Sequence, residues 1–138
     1  MRDHRWWRHP PRRAAGPYLA AQPETFAGEV VGDGHCVAPV KAAAGAPRTA
    51  AWRRGAAVRG NRRIRRGTAI ATFEADGTYA SRPGSHAAIY LGQDATGIWV
   101  YDQWRGQPVH RRLIRFEGGR GSGQGSKSND GRRFAVIM

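Results

Sequence analysis

One stretch of the sequence decides the fold: Gly32-Asp33-Gly34-His35-Cys36-Val37-Ala38-Pro39-Val40-Lys41-Ala42-Ala43-Ala44. Its glycines predict a tight turn, and the alanine-rich half predicts a short helix that Gly45 and Pro47 bring to an end. Proline costs about 3 kcal/mol in a helix interior, but in the first turn its missing N–H is not needed. Pro39 therefore predicts a helix over 36–44, with Cys36 at its start.

Cys36 is the only cysteine of the chain. The amino end of a helix carries a partial positive charge, which favours a thiolate over a thiol. A thiolate is the form that attacks a carbonyl carbon, so the position suits a nucleophile. A lone cysteine also serves as a small buried apolar side chain, and position alone does not decide between the two roles.

Composition indicates a small and strongly basic protein. The 138 residues carry a formal net charge of +13, nearly all of it from arginine, which attracts polyanions in general. The length predicts one domain, and no apolar run approaches the ~18 residues of a membrane span. Residues 1–17 are rich in Arg, Trp and Pro and are predicted to be a disordered extension, with residues 18–138 as the functional domain. Because no apolar segment follows the basic start, we expect synthesis in the cytoplasm without a signal peptide.

Strands are predicted after Gly67. Apolar runs separated by glycine-rich turns predict strands over residues 68–73, 86–91, 98–104, 109–116 and 134–137. A loop rich in glycine and serine precedes the last of them. One helix followed by a run of antiparallel strands is typical of an α+β domain, here with a sheet of about five strands.

Two polar residues of these strands form a constellation with the cysteine. His86 heads a strand after a Pro-Gly-Ser turn, which predicts an exposed position facing a cleft. Asp102 lies in an otherwise apolar and aromatic strand, where a carboxylate needs a hydrogen-bonding partner. Cys36, His86 and Asp102 fit the roles of nucleophile, general base and orienting residue. Gln103 is the alternative third member, because strand alternation lets only one of the two neighbours face His86.

These segments together resemble a known family. The residues that carry the resemblance are Gly32–Val37, Trp52, Gly67–Phe73, His86–Tyr90 and Tyr101–Trp104. They resemble the CHAP and NlpC-type branch of the papain-like cysteine peptidases, which are bacterial amidases and endopeptidases that cut peptidoglycan. The resemblance spans roughly residues 18–137, and the small size is similar to that of amidase effectors delivered by type VI secretion.

The resemblance implies a papain-like fold in which the helix that carries Cys36 packs on the sheet. It assigns catalysis to Cys36, His86 and Asp102 and implies no cofactor or metal. It also implies a peptidoglycan substrate, a cognate immunity protein, and export to the periplasm of target cells without a signal peptide. Trp99, Tyr101 and Trp104 are candidates for the walls of the substrate groove, although aromatic residues at strand spacing also build cores.

Three alternatives remain open. Seven arginines between residues 53 and 66 could bind nucleic acid or another polyanion without catalysis, but no familiar nucleic-acid motif accompanies them. A metal site from His35, Cys36 and His86 is disfavoured, because the adjacent pair suits no shared ligation and no second cysteine completes the set. The third alternative is an enzyme-like fold that has lost activity and serves as a binding protein.

Overall fold

The structure is a computed structural model that describes residues 16–116 and 127–138. Within these ranges the chain forms one α-helix and six strands. The elements are α1 (Val37–Ala44), β1 (Arg54–Ala57), β2 (Ala69–Thr72), β3 (Ala87–Gln93), β4 (Gly97–Trp104), β5 (Gln107–Arg115) and β6 (Phe134–Ile137). The α+β class is confirmed. Residues 1–15 of the predicted extension, and most of the loop before β6, lie outside the described residues.

The helix α1 begins one residue later than the sequence predicts. Cys36 is its N-cap, with φ −65° and ψ −26°, and Pro39 is buried in the first turn as expected. Gly45 ends the helix in the left-handed region, and its N–H donates to the Lys41 carbonyl over 3.1 Å. Cys36 is therefore the cap of the helix and not one of its residues, which corrects the expectation that the helix carries it.

The six strands form a single antiparallel sheet in the order β1-β6-β2-β3-β4-β5. Five of them match predicted strands to within about two residues at each end. The strand that the sequence did not predict is β1, whose Arg-Gly-Ala-Ala sequence has low strand propensity. It exists because it pairs with β6, where Arg54 lies opposite Ile137 and Ala57 opposite Ala135.

Two hydrophobic clusters cover the two faces of the sheet. The cluster on the side of α1 includes Val40, Trp52 and Ile89, and the cluster on the opposite face includes Ile70 and Phe134, all at most 1% exposed. Alanines on β2 and β3 face α1, and their small side chains let the helix lie close to β3. This packing brings the amino end of α1 to the first residues of β3.

Candidate active site

His86 lies immediately before β3, at the point that α1 approaches. Its main-chain N–H donates to Thr72 Oγ1 over 3.1 Å, and its carbonyl accepts from the Thr72 N–H over 3.0 Å. The expectation of an exposed histidine is wrong, because only 4% of His86 is exposed. The ring of Phe134 packs edge-on against the imidazole, with 6.3 Å between the ring centres. The histidine therefore has one well-defined position.

Asp102 lies beside His86 on β4. Its Oδ2 is 2.7 Å from Nε2 of His86, and its side chain is fully buried. An ionised carboxylate only accepts hydrogen bonds, so the hydrogen lies on Nε2. The other ring nitrogen, Nδ1, is left for the thiol of Cys36, which lines the same cleft and whose pKa His86 lowers.

The side chain of Gln103 points to the opposite face of β4, where it forms hydrogen bonds with the turn before Cys36. Its Oε1 accepts from the Val31 N–H over 3.0 Å, and its Nε2 donates to the carbonyls of Val31 and His35, each over 2.8 Å. Gln103 is completely buried. Of the two neighbours weighed for the third position, Asp102 contacts the imidazole and Gln103 holds the main chain that leads to the thiol.

The thiol of Cys36 lies between His86 and Tyr79. Its Sγ is 3.8 Å from the Tyr79 hydroxyl. Burial raises the pKa of the Cys36 thiol, but the hydrogen bond and positive charge of His86, followed by the hydrogen bond of Tyr79, outweigh burial and lower it. The pKa of Tyr79 is raised, first by burial and then by the charge of the Cys36 thiolate, so Tyr79 stays a hydrogen-bond donor.

His86 and Asp102 stabilise each other's charged forms. Burial lowers the pKa of His86, but hydrogen bonds with Asp102 and Cys36 and their charges raise it to about 9. Burial raises the pKa of Asp102, yet the hydrogen bond and charge of His86, and then Arg112, hold it below its usual range. The site therefore favours the thiolate, the imidazolium and the carboxylate more strongly than these groups do in water.

Arg112 and His110 of β5 also face Asp102, and neither contact was predicted from the sequence. Nε of Arg112 donates to Asp102 Oδ2 over 2.8 Å, and Nε2 of His110 is 3.3 Å from Oδ1. The guanidinium of Arg112 also stacks on Trp104, with 5.0 Å from Cζ to the ring centre. One signal could have found them: a carboxylate buried in an apolar strand needs several donors, and β5 supplies basic residues opposite it.

A cleft of about 460 Å³ opens beside the thiol and the imidazole. The part of it that the described residues define is lined by Asp33, His35, Cys36, Val37, Tyr79, Ser81, Arg82, Pro83, Gly84, Ser85, His86 and Trp104. Trp104 is thus the one of the three aromatic groove candidates that lines this cleft. Trp99 lies against the guanidinium of Arg111, 4.6 Å from Cζ to its ring centre, and Tyr101 packs on the hydrophobic cluster beside α1.

Metal ligation has no basis in the described part of the chain. Across residues 16–116 and 127–138, no group of three or more His, Cys, Asp or Glu side chains could hold a metal ion. The chemistry open to this site is nucleophilic: a thiolate, a base that can become an acid, and a buried carboxylate that orients it. An antiparallel sheet with the thiol at the amino end of a packed helix places the protein in the class of papain-like cysteine hydrolases.

Comparison with known proteins identifies the family within that class. Residues 13–137 match the family described as Domesticated amidase effector 2, and the chain belongs to it. The protein is accordingly an amide-bond hydrolase of an effector family. The resemblance to type VI secretion amidase effectors that the sequence carries is thereby confirmed.

Individual relatives agree with this membership. The chain is 44% identical over 106 residues to a "Type VI secretion amidase effector 2 protein" of Salmonella typhi, which covers 72% of this chain and 79% of that protein. It is 45% identical over 89 residues to the "Domesticated amidase effector 2" of Ixodes scapularis, covering 59% of this chain and 58% of that one. The solved structure of "Type 6 secretion amidase effector 2 (Tae2)" matches with a TM-score of 0.76 and 35% identity, over 89% of this chain and 95% of that chain.

Proposed function

We propose that the protein cleaves an amide bond in the stem peptides of peptidoglycan, with Cys36 as nucleophile, His86 as general base and acid, and Asp102 as the residue that orients His86. The observation that carries this proposal is the placement of the imidazole. Its Nε2 is held 2.7 Å from a buried carboxylate, and the same imidazole lowers the pKa of the Cys36 thiol with which it lines the cleft.

The reaction begins with the thiolate of Cys36. Its sulfur attacks the amide carbonyl carbon, and the electron pair of the C=O bond moves onto the oxygen. The N–H groups at the start of α1 have no partner within the helix, so those of Cys36 and Val37 are available to the developing oxyanion. The positive end of the helix dipole favours the same charge.

His86 then acts as an acid. The imidazolium gives its proton to the amide nitrogen, the C–N bond breaks, and the amine leaves while a thioester remains on Cys36. In the second half, His86 takes a proton from water, the hydroxide attacks the thioester, and the C–S bond breaks. Asp102 keeps the hydrogen on Nε2 throughout, so that the other ring nitrogen exchanges protons with the reacting atoms.

The cleft suits a peptide that carries charges of both signs. Asp33 and Arg82 both line it, and Trp104 provides a flat apolar wall beside His86. Stem peptides present carboxylates and amines that such a rim can bind. The relatives named as type VI secretion effectors support delivery of this chain into another cell, and a cleft of this kind is where an immunity protein would block it.

Digestion of purified peptidoglycan tests the proposal. The wild type should release or alter muropeptides, as separated by liquid chromatography and identified by mass spectrometry, and Cys36→Ala should leave them unchanged. A melting temperature of the variant close to that of the wild type shows that only chemistry was lost. Absence of any product with folded wild-type protein would contradict the proposal. If, in addition, the wild type and Cys36→Ala bound a DNA oligonucleotide with equal affinity, the result would favour the alternative of a polyanion-binding protein without catalysis.

A further inference from the structure

A second cavity lies at the β1–β6 end of the sheet and shares no lining residue with the active-site cleft. It has a volume of about 370 Å³, and its apolar lining includes Leu19, Ile64 and Val136. Arg63 and Arg65 also line it, and no Asp or Glu does so among the described residues. Leu19 is a large apolar side chain that is 37% exposed. The cavity thus combines an apolar surface with two cations.

Among the described residues, no Asp or Glu lines this cavity to compensate its positive charge. Residues 47–73 contain eight arginines and no Asp or Glu. The side chains of Arg63 and Arg65 contact no carboxylate within residues 16–116 and 127–138. Arg66 pairs with Glu24 over 3.6 Å, but both side chains are more than half exposed, so the pair is weak. These cations are therefore available to an anionic partner.

The apolar lining decides which polyanion fits. Nucleic acid without a groove-reading motif is held by exposed aromatic rings that stack on bases, but Trp52, the one aromatic residue of 47–66, is fully buried against Tyr79. A charged wall polymer would pair with the arginines and leave the apolar surface exposed to water. A phospholipid uses both features, since phosphate pairs with guanidinium groups and aliphatic chains fill an apolar groove.

We propose that this face docks onto an anionic phospholipid bilayer, with Arg63 and Arg65 on the headgroup phosphates and Leu19 against the acyl chains. Residues 1–15 join the described chain next to Pro17, which lines the same cavity. Their sequence holds five arginines and two tryptophans, residue types that favour a membrane interface. Residues 1–15 are themselves positively charged, so they are poorly suited to fill a cavity that is lined by Arg63 and Arg65.

Co-sedimentation of the full chain with vesicles tests the docking. Vesicles of phosphatidylcholine alone are compared with vesicles that contain one third phosphatidylglycerol. Each arginine at an anionic surface strengthens binding about fivefold, so Arg63→Gln/Arg65→Gln should weaken partitioning into the anionic vesicles about 30-fold. The matched control is Arg111→Gln/Arg115→Gln on β5, at the other edge of the sheet, which removes the same charge from exposed positions and should change partitioning less than about threefold.

The outcomes separate docking from general attraction. Equal weakening in the two double variants, or equal binding of the wild type to both kinds of vesicle, overturns the proposal. So does binding of a DNA oligonucleotide that depends on Arg63 and Arg65 while the vesicles do not bind. Leu19→Gln tests the apolar part and should weaken partitioning about fivefold, and an unchanged value would exclude the groove. Every variant should digest peptidoglycan in the absence of vesicles at the wild-type rate, which shows that it is folded.

Discussion

Replacing Asp102 by asparagine tests the ion pair on which the proposed chemistry depends. The pKa of His86 is raised from 6.5 to about 9 despite its burial, first of all by the hydrogen bond with Asp102. A rise of that size multiplies the ratio of imidazolium to imidazole about 300-fold at any given pH. Asparagine keeps the size of the side chain but not its charge. Burial should then lower the pKa of His86 below its ordinary value, and the pKa of Cys36 should rise because the imidazolium that lowers it is lost.

Alkylation with iodoacetamide measures this directly, because Cys36 is the only cysteine in the chain. At pH 6.5 we expect Asp102→Asn to react about 100-fold more slowly than the wild type, with its pH profile displaced to higher pH. Peptidoglycan digestion should fall by a similar factor. The matched control is Asp130→Asn, which removes another buried carboxylate, one bonded to Arg132 over 2.9 Å, and should react as the wild type does. Superimposed profiles of Asp102→Asn and wild type, both folded by circular dichroism, would refute the reasoning.

Three further substitutions have defined outcomes. Arg112→Gln removes a charged donor from Asp102, so kcat for peptidoglycan digestion should fall about tenfold with little change in KM, and Arg112→Lys should recover part of it. If the role of Arg112 were purely structural, the variant would instead have a lower melting temperature, and the pH dependence of its kcat would match that of the wild type. Gln103→Leu removes three hydrogen bonds to the main chain before Cys36 and leaves the Val31 N–H without the side-chain acceptor that it has in the wild type. It should lower the free energy of unfolding by about 2–4 kcal/mol in urea titrations, and a loss below about 1 kcal/mol would contradict its anchoring role. Trp104→Ala should raise KM for peptidoglycan fragments about tenfold, whereas Trp99→Ala, outside the cleft, should leave KM unchanged.

Local rules of sequence were enough to predict the elements that hold the thiol. Pro39 tolerates only the first turn of a helix, so it fixed where α1 starts to within one residue. Asp102 stood out because a carboxylate in an apolar strand must find donors, and the nearest titratable ring in the adjoining strand was His86. These predictions succeeded because each depends on the covalent or polar chemistry of one residue.

Pairing between distant segments was beyond those rules. The segment that forms β1 has low strand propensity, and it becomes a strand because it pairs with β6. At the other edge of the sheet, Trp104 of β4 lies opposite Gln107 of β5. Regular antiparallel pairing from the turn between these strands would place Val109 opposite Asp102. An extra residue on β5 shifts the register, so that His110 lies there instead. A bulge of this kind has no sequence signature, so the need of Asp102 for donors points to basic residues of β5 but does not say that they are His110 and Arg112.

The neighbours Asp102 and Gln103 hold the two halves of the site from opposite faces of one strand. Asp102 fixes the ring of His86, and Gln103 fixes the main chain that runs into Cys36. Because alternate residues of a strand face opposite ways, a shift of β4 by one residue would detach the base and the nucleophile together. The distance between sulfur and imidazole is therefore set by the register of β4, although neither Cys36 nor His86 belongs to that strand. The bulge on β5 lies opposite Gln103, between the pairs Asp102–His110 and Trp104–Gln107, and it brings Arg112 to the carboxylate without moving β4. The charges around Asp102 therefore depend on β5, whereas the position of Asp102 depends on β4.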